Sequence, residues 1–318
     1  NTVSPEEVIG QYGADILRLW VAQSDYTSDL RIGPEILKGV ADSYRRLRNT
    51  MRFMLGSLGQ TEKVTSVEFF NLPDLEKWVL HRLKQLDILV QNGYEKYSFQ
   101  QVFQHLFHFC TVDLSSFYFD IRKDALYCES LASPIRSASI FTLDHVFRRI
   151  VTWFAPILPF TMEEVWLTRF SNEEKSIHLE DFPETPLNWL DKEIEKKWEI
   201  IRNVRSLVTS AIEIERREKN IGSSLEASAI VYIKDKNIMQ TIKSVDFSEI
   251  CITSAVEIKL SEEIHVRDSL QEDNAVSIKI IKAKGEKCNR CWKYSSSCDE
   301  FAGKLVCSRC FSVLDKYK

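Results

Sequence analysis

Four cysteines near the end of the chain are spaced as metal ligands. They form two C-x-x-C pairs, Cys288 with Cys291 and Cys307 with Cys310, in the segment KCNRCWKYSSSCDEFAGKLVCSRC. This spacing is typical of a tetrahedral zinc site, because zinc favours soft thiolate ligands and each short turn presents two of them. Four protein ligands leave no position open for water. The sequence therefore predicts one structural Zn²⁺ ion per chain.

A disulfide framework and a redox-active pair are the alternatives for these cysteines. Disulfides are typical of secreted proteins, and the chain shows no charged and apolar leader pattern at its start. A thioredoxin-like motif would place a single C-x-x-C at the start of a helix, whereas this chain has two such pairs. Cys298 lies between the pairs without a second cysteine at turn spacing, so we leave it out of the ligand set. These features favour a reducing, cytoplasmic location.

The cysteine-rich segment is also basic. Residues 279–318 contain ten Lys and Arg against four Asp and Glu, a net charge of +6, although the whole chain carries −4. Cations neutralise phosphates and aromatic rings stack on unpaired bases, so this composition suits RNA. The candidate RNA contacts here are Arg290, Trp292, Lys293 and Arg309. The alternative is that the cations form a solvated surface and that Trp292 packs against the metal site.

Two further basic clusters lie earlier in the chain. A basic run on a helix is more often a solvated face than a nucleic-acid site, but three clusters in one chain favour RNA binding. The first cluster is Arg45, Arg46, Arg48 and Arg52, and the second is Arg216, Arg217 and Lys219. In the first cluster, Arg45, Arg48 and Arg52 are predicted to share one helix face.

The elements that must position these residues are mostly helical. Apolar residues recur every three or four positions from Ile36 to Leu58, which is typical of an amphipathic helix. Further helical patterns run from Leu75 to Tyr94, from Phe99 to about Leu131, from Pro134 to Phe154 and from about Asp191 to Lys219. After the proline break that follows Phe154, Thr161 and Glu164 predict a capping box and one more short helix. These patterns predict a helical bundle and a long charged helix.

The last third of the chain changes from helical to alternating periodicity. The segments SAIVYI, VEIKL and AVSIKII are short, rich in Val and Ile, and polar at every second position, which predicts strands of a small mixed domain. The chain contains no glycine-rich phosphate loop and no apolar run of membrane-spanning length. Nucleotide binding by such a loop and a membrane span are therefore not expected.

A resemblance to a known family starts with the first residues, NTVSPEEVIGQYGADILRLWVAQSDYTSDLRIGPEILKGVADSYRRLRNTMRFMLGSL. This segment resembles the one that directly follows the KMSKS signature of bacterial-type isoleucyl-tRNA synthetases. The likeness continues through WFAPILPFTMEEVW and RREKNIGSSLEASAIVYI into the cysteine motif CNRCW…CSRC, and it covers essentially the whole chain. The resemblance implies a mainly α fold: an anticodon-binding helical bundle of class I synthetases, a small α/β junction domain and a four-cysteine zinc knuckle.

The resemblance also implies a division into domains and a function. The expected domains are 1–33, the tail of the catalytic or stem-contact region; 34–184, the anticodon-binding bundle; 185–285, the linker helix and junction domain; and 286–318, the knuckle. The expected partner is an isoleucine-accepting tRNA, bound by a monomer without membrane association. The parent enzyme would attach isoleucine to this tRNA using ATP.

The family's catalytic signatures HIGH and KMSKS are missing from this sequence. We therefore expect no catalytic residues in it, with ATP and isoleucine bound only in the parent's catalytic domain, and we expect the chain, which begins at Asn1, to be a processed chain or a piece of a longer one. Two alternatives stay open: a freestanding non-enzymatic RNA-binding module with a structural zinc, and a fragment of a valyl or leucyl synthetase. The full reading frame upstream of Asn1 would discriminate between the first alternative and a synthetase.

Overall fold

The structure is a computed structural model, and it describes residues 3–59, 64–170, 175–261 and 275–316. Contacts divide the chain into two compact units. The first unit contains Asn1–Phe119 and Ser137–Asp191, and the second contains Asp120–Arg136 and Lys192–Lys318. The four-domain division expected from the sequence has different boundaries, since its bundle of 34–184 includes residues 120–136 of the second unit, and it remains a prediction.

Most of the described residues are helical, which confirms the mainly α fold. The helices are α1 (Pro5–Tyr12), α2 (Ala14–Gln23), α3 (Pro34–Leu58), α4 (Asp74–Glu95), α5 (Phe99–His108), α6 (Asp120–Cys128), α7 (Pro134–Phe154), α8 (Pro159–Arg169), α9 (Lys192–Arg217), α10 (Lys236–Lys243), α11 (Phe247–Cys251) and α12 (Ser308–Asp315). The strands are β1 (Ala227–Ile233), β2 (Ala255–Leu260), β3 (Val276–Lys282), β4 (Glu286–Lys287), β5 (Tyr294–Ser295), β6 (Cys298–Phe301) and β7 (Lys304–Cys307). None of the helices in the described ranges is long and apolar enough to cross a membrane.

The predicted helices match α3, α4, α7 and α9 closely. The long helix expected from Phe99 onward is interrupted, because a π-helical segment, Phe109–Phe119, lies between α5 and α6, and the run ends at Cys128. The capping box at Thr161 is wrong, although the helix exists. Pro159 occupies the first turn, as expected of a residue without an N–H, so α8 begins before Thr161. The backbone N–H and hydroxyl of Thr161 instead donate to Asp15 Oδ2, at 2.8 and 2.5 Å.

The first unit is held together by a large apolar core. Its fully buried side chains include Phe147 and Trp153 on α7, and each such burial contributes about 1.5–3 kcal/mol. Aromatic rings pack at the edge of this core, with Phe53 stacked on Phe119 at a centroid distance of 4.3 Å. The buried carboxylate of Glu76 accepts a hydrogen bond from the Tyr118 hydroxyl at 3.0 Å. Burial of these side chains therefore fixes the helices of the first unit.

The second unit combines α9 with a small sheet of order β2-β1-β3. Strand β1 runs parallel to β2 and antiparallel to β3, and its residues alternate between buried and partly exposed. The strands predicted from SAIVYI, VEIKL and AVSIKII are thus present as β1, β2 and β3. Helix α9 packs against β1 and β3 and fully buries Trp198.

Of the knuckle expected at 286–318, the structure describes residues 286–316. Two short hairpins, β4–β5 and β6–β7, precede α12. Gly285 enters the first hairpin with a φ of 98°, and a Cβ there would lie 2.2 Å from the carbonyl oxygen of Ser295. Only glycine fits this close approach of two backbones. The hairpins bring the two cysteine pairs together.

Candidate metal centre and nucleic-acid interface

The two cysteine pairs are presented by different kinds of backbone. Cys288 and Cys291 lie in the turn between β4 and β5, where the N–H of Cys288 donates to the carbonyl of Lys293 at 2.9 Å. Cys307 ends β7 and is the N-cap of α12, so Cys310 lies in the first turn of that helix. A helix N-terminus favours negative charge, which suits thiolates at these positions.

The four sulfur atoms lie where a tetrahedral metal ion would hold them. All four Sγ atoms are within 4.8 Å of one another, and the Sγ atoms of Cys291 and Cys307 are 3.8 Å apart. With Zn–S bonds of about 2.3 Å, the sulfurs of a tetrahedral site lie about 3.8 Å from each other. Cys288 and Cys310 are fully buried. The arrangement confirms that these four cysteines form one group that could hold a metal ion.

The thiols of this group change one another's pKa. A hydrogen bond with the Cys310 thiol lowers the pKa of Cys291, and the same contact raises the pKa of Cys310. Burial raises the pKa of Cys307, and the charges of Cys291 and Cys288 raise it further. Four thiolates in one buried place repel each other unless a cation lies among them. The electrostatics of the donor set therefore fit a divalent metal.

Cys298 lies outside the group, as expected from its spacing. It is paired directly opposite Cys307 across the β6–β7 hairpin, and it is only partly buried. Its thiol donates to the carbonyl oxygen of Glu286 at 3.5 Å. Cys298 is thus a neighbour of the four-cysteine group and not a member of it.

Arg309 makes contacts within the protein. Its guanidinium donates to both carboxylate oxygens of Asp124, at 2.5 and 2.7 Å, and to Glu129 at 3.0 Å. The hydrogen bond to Asp124 raises the pKa of Arg309 further above its usual range. A bidentate pair of this kind fixes the knuckle to the α6 region of the second unit. The prediction that Arg309 contacts tRNA stays untested, but its donors are already engaged.

Trp292 is an exposed residue directly after Cys291 of the four-cysteine group. The residue is 62% exposed, so most of its surface does not pack against the metal site as the alternative would require. The backbone is in the left-handed region with a φ of 65°, and its N–H donates to the carbonyl oxygen of Cys288 at 2.9 Å. Lys293 and Arg290 flank the same turn, and Arg290 Nη1 is buried without a hydrogen-bond partner in the described part of the chain. These residues remain candidate RNA contacts.

The first basic cluster lies on α3, and its four arginines are exposed. Two of them are paired: Arg45 with Asp42 at 2.7 Å, and Arg48 with Glu164 at 3.2 Å. Within the described residues, the side chains of Arg46 and Arg52 have no ion pair. Exposed pairs of this kind contribute little and break easily, so all four side chains are accessible to an anion. Their proposed contact with tRNA is untested.

The second basic cluster lines a polar cleft of about 610 Å³ at the end of α9. Arg216, Arg217 and Lys219 are joined there by Lys282, at the end of β3. Arg216 is paired with Glu213 at 2.6 Å. The sequence analysis does not identify Lys282, because only the packing of α9 on β3 brings it to the cleft. Its position directly after the predicted strand AVSIKII was the available signal.

Comparison with known proteins assigns the chain to a family of enzymes. The family model of the anticodon-binding domain of tRNA ligase matches residues 76–231. A crystallised ternary complex of Agrobacterium radiobacter K84 agnB2 LeuRS, tRNA and LeuAMS is similar at a TM-score of 0.47 and 14% identity, covering 60% of this chain and 22% of that chain. At this level of similarity, nothing about the present chain is inferred from the complex.

Relatives named isoleucine–tRNA ligase match nearly the whole chain. The protein of Ruegeria pomeroyi is 51% identical over 315 residues, which are 99% of this chain and 32% of the relative. The proteins of Brucella abortus and Agrobacterium fabrum are each 47% identical over 296 residues, which are 93% of this chain and 30% of each relative. The chain thus spans about a third of the length of these curated relatives. Its anticodon-binding domain and its identity to these ligases place it in the isoleucine–tRNA ligase family, where it corresponds to the C-terminal part.

Proposed function

We propose that the chain is the tRNA-recognition part of an isoleucine–tRNA ligase and binds the anticodon end of an isoleucine-accepting tRNA. The observation that carries the proposal is the 51% identity to an isoleucine–tRNA ligase over 99% of the chain, together with the anticodon-binding domain at 76–231. The parent enzyme would attach isoleucine to the tRNA at the expense of ATP. That reaction would take place in parts of the relatives that this chain does not span.

The metal of the knuckle is proposed to be one structural Zn²⁺ ion, held by Cys288, Cys291, Cys307 and Cys310. Four sulfur ligands, their mutual distances and their burial support zinc over hard cations, which prefer oxygen. The ion would remove the repulsion among the thiolates and fix the turn that carries Trp292. Its role would be to hold the backbone, since a four-sulfur site leaves no coordination position for a substrate.

The basic surfaces and Trp292 are proposed to contact different parts of the tRNA. The arginines of α3 and the cleft formed by Arg216, Arg217, Lys219 and Lys282 would bind phosphates, which position an RNA without reading its sequence. Trp292 would stack on an unpaired base or ribose, with Arg290 and Lys293 near the adjoining phosphates. A helix presents its guanidiniums with little extra ordering cost, which favours affinity. The protein is proposed to act as a monomer in the cytoplasm.

Binding of tRNA to the chain tests this function. We would measure affinity for an isoleucine-accepting tRNA and for the same tRNA with an altered anticodon, at several salt concentrations. Affinity should fall as salt rises, because bound phosphates release counterions. The matched tRNA should bind more tightly than the altered one at every salt concentration. Equal affinity for both tRNAs would refute recognition of the anticodon. Absence of tRNA binding would refute the whole proposal.

A further inference from the structure

A recess of about 570 Å³ lies in the second unit between α6, α11 and the turn of the first cysteine pair. Its volume falls within the about 300–1,000 Å³ that is usual for small-molecule sites. The lining is largely apolar, and it includes Ile121, Leu225 and Ile252. The recess therefore offers an apolar floor with room for a group the size of one nucleotide.

Two aromatic side chains line this recess from different elements. Tyr127 comes from α6 and is 54% exposed, and Trp292 comes from the knuckle and is 62% exposed. In the described part of the chain, neither ring stacks on another aromatic residue. Exposed, unstacked rings that share a recess leave their faces open to a flat ligand. Tyr127 carried no signal in the sequence, because only folding brings α6 to the knuckle.

The walls of the recess are fixed by contacts that need no ligand. The thiol of Cys128 on α6 donates to the carbonyl oxygen of Arg290 at 3.7 Å, and Cys128 packs among the cysteines of the knuckle. Arg309 ties the knuckle to Asp124, which lies one helical turn before Cys128. A site whose walls are already ordered loses little entropy when a ligand binds.

The charges around the recess are complementary to a phosphate. Each carboxylate of the lining is paired with a cation: Asp120 with Lys123, Asp124 with Arg309, and Glu249 with Arg122. Arg290 and Lys293 also line the recess, and neither is in an ion pair within the described ranges. The buried Nη1 of Arg290 has no partner there, and an unmade hydrogen bond of a buried charged group is costly. A bound phosphate oxygen would satisfy it.

We infer that the recess binds one unpaired nucleotide of the tRNA anticodon loop. The base lies against Tyr127 and Trp292, and the phosphate lies near Arg290 and Lys293. This inference rests on the proposed function and deepens it, since it names the site and the part of the tRNA that enters it. Loop nucleotides unstack readily, and a base has flat apolar faces that match the two rings. A phosphate alone would make no use of the aromatic walls.

Fluorescence of labelled tRNA tests the inference on the full 318-residue chain with its metal. A series of isoleucine tRNAs would carry 2-aminopurine at one anticodon-loop position each, and fluorescence would be followed as protein is added. One position should be quenched on binding to the unaltered chain. The quenching should be lost in Tyr127→Ala and in Trp292→Ala, because stacking on the rings is its cause.

Affinity measurements with matched variants complete the test. Tyr127→Ala should weaken tRNA binding about tenfold with unchanged zinc content and melting temperature, whereas Tyr127→Phe should stay within about twofold. Leu305→Ala is the control, since Leu305 is an exposed apolar residue of the same knuckle and is not part of the recess lining. It should bind tRNA normally.

The outcomes separate the inference from the function on which it rests. Normal tRNA binding with no quenched position, or quenching that survives both alanine variants, overturns the nucleotide site and leaves the proposed function standing. Failure of the unaltered chain to bind any tRNA overturns both. Equal losses in Tyr127→Ala and Leu305→Ala would show a general disturbance of the knuckle and would also contradict the site.

Discussion

The helical first unit and the knuckle are stabilised by different physics. The first unit buries large side chains such as Trp153 and Phe147, and this burial is a major source of its stability. In the knuckle, the buried side chains among the described residues are its four paired cysteines with Val306 and Val313. So few apolar groups cannot offset the entropy of ordering some thirty residues. The comparison predicts that folding of the knuckle depends on a bound metal ion, whereas the core of the first unit can form by apolar burial.

The two regions also differ in how they use arginine. On α3, Arg46 and Arg52 face solvent, and Arg45 has only an exposed partner. In the knuckle, Arg309 is bound to Asp124 and Glu129, whose side chains are largely buried. Arg309 thus stabilises the fold, whereas the arginines of α3 remain available to a partner.

Loss of a metal ligand should have the largest effect, and this effect should be confined to the knuckle. Cys310→Ser should lose the zinc and disorder the knuckle, because structural zinc contributes on the order of 10 kcal/mol to folding of such small elements. The helices of the first unit should keep their protection from hydrogen exchange. Metal analysis and segment-resolved hydrogen exchange would check this, with Cys298→Ser as the control that keeps its zinc. A folded knuckle without metal would refute the dependence.

Removal of Arg309 should have the next largest effect. Arg309→Ala leaves Asp124 and Glu129 without their cation, and it should lower the stability of the second unit by on the order of 2 kcal/mol, since the pair is partly solvated. Urea unfolding would measure the loss. Lys196→Ala is the control, because its pair with Glu193 is largely exposed to solvent and should contribute little. Equal stability of the two variants would contradict the structural role of Arg309.

The effect of Arg309→Ala should depend on pH. Burial raises the pKa of Asp124, but the hydrogen bond and charge of Arg309 outweigh burial and hold the pKa below its usual value. The stabilisation is therefore present above the unfolded pKa of about 3.9 and is lost as the pH falls through the lower, folded pKa. The stability difference between the unaltered chain and Arg309→Ala should be largest near neutral pH and shrink below about pH 4. A constant difference would argue against the ion pair as its cause.

Charge reversal on α3 should weaken tRNA binding without changing the fold. The double variant Arg45→Glu with Arg52→Glu removes two exposed cations and introduces two carboxylates that repel tRNA phosphates. The affinity for tRNA should therefore fall about tenfold or more. The salt slope should decrease by about 0.7–0.9 for each lost phosphate contact. Lys196→Glu on α9 carries the same charge change per residue and serves as the comparison. Unchanged affinity and salt slope would mean that this face of α3 is only solvated.

Replacement of Trp292 should give the smallest of these changes. Trp292→Ala should keep its zinc and melting curve and bind tRNA about tenfold more weakly, because stacking is worth about 1–3 kcal/mol per base. Trp292→Phe should retain part of the affinity. Equilibrium binding with zinc analysis would check both variants. A stable, zinc-loaded Trp292→Ala protein with unaltered affinity would exclude direct contact.

Local chemistry was predictable from the sequence, and long-range packing was not. The four cysteines were identified because ligand type and turn spacing are local, and α3 and α7 because their apolar period is local. The start of α8 lies at Pro159 and not at Thr161, because proline is favoured in the first turn of a helix. The π-helical segment that begins at Phe109 was not predictable from the spacing of apolar residues. Lys282 and Tyr127 reach their sites through tertiary contacts of elements far apart in the sequence. The ion pairs of Arg309 with Asp124 and Glu129 could not be predicted for the same reason.

The account is tested most directly by the zinc dependence of anticodon preference. Affinity for matched and anticodon-altered isoleucine tRNA would be measured before and after chelation, with helical circular dichroism followed in the same samples. We expect the zinc-loaded chain to prefer the matched tRNA, and chelation to reduce tRNA affinity while the helical melting transition persists. Loss of the helices together with the zinc, or tRNA affinity that is unaffected by chelation, would contradict the account.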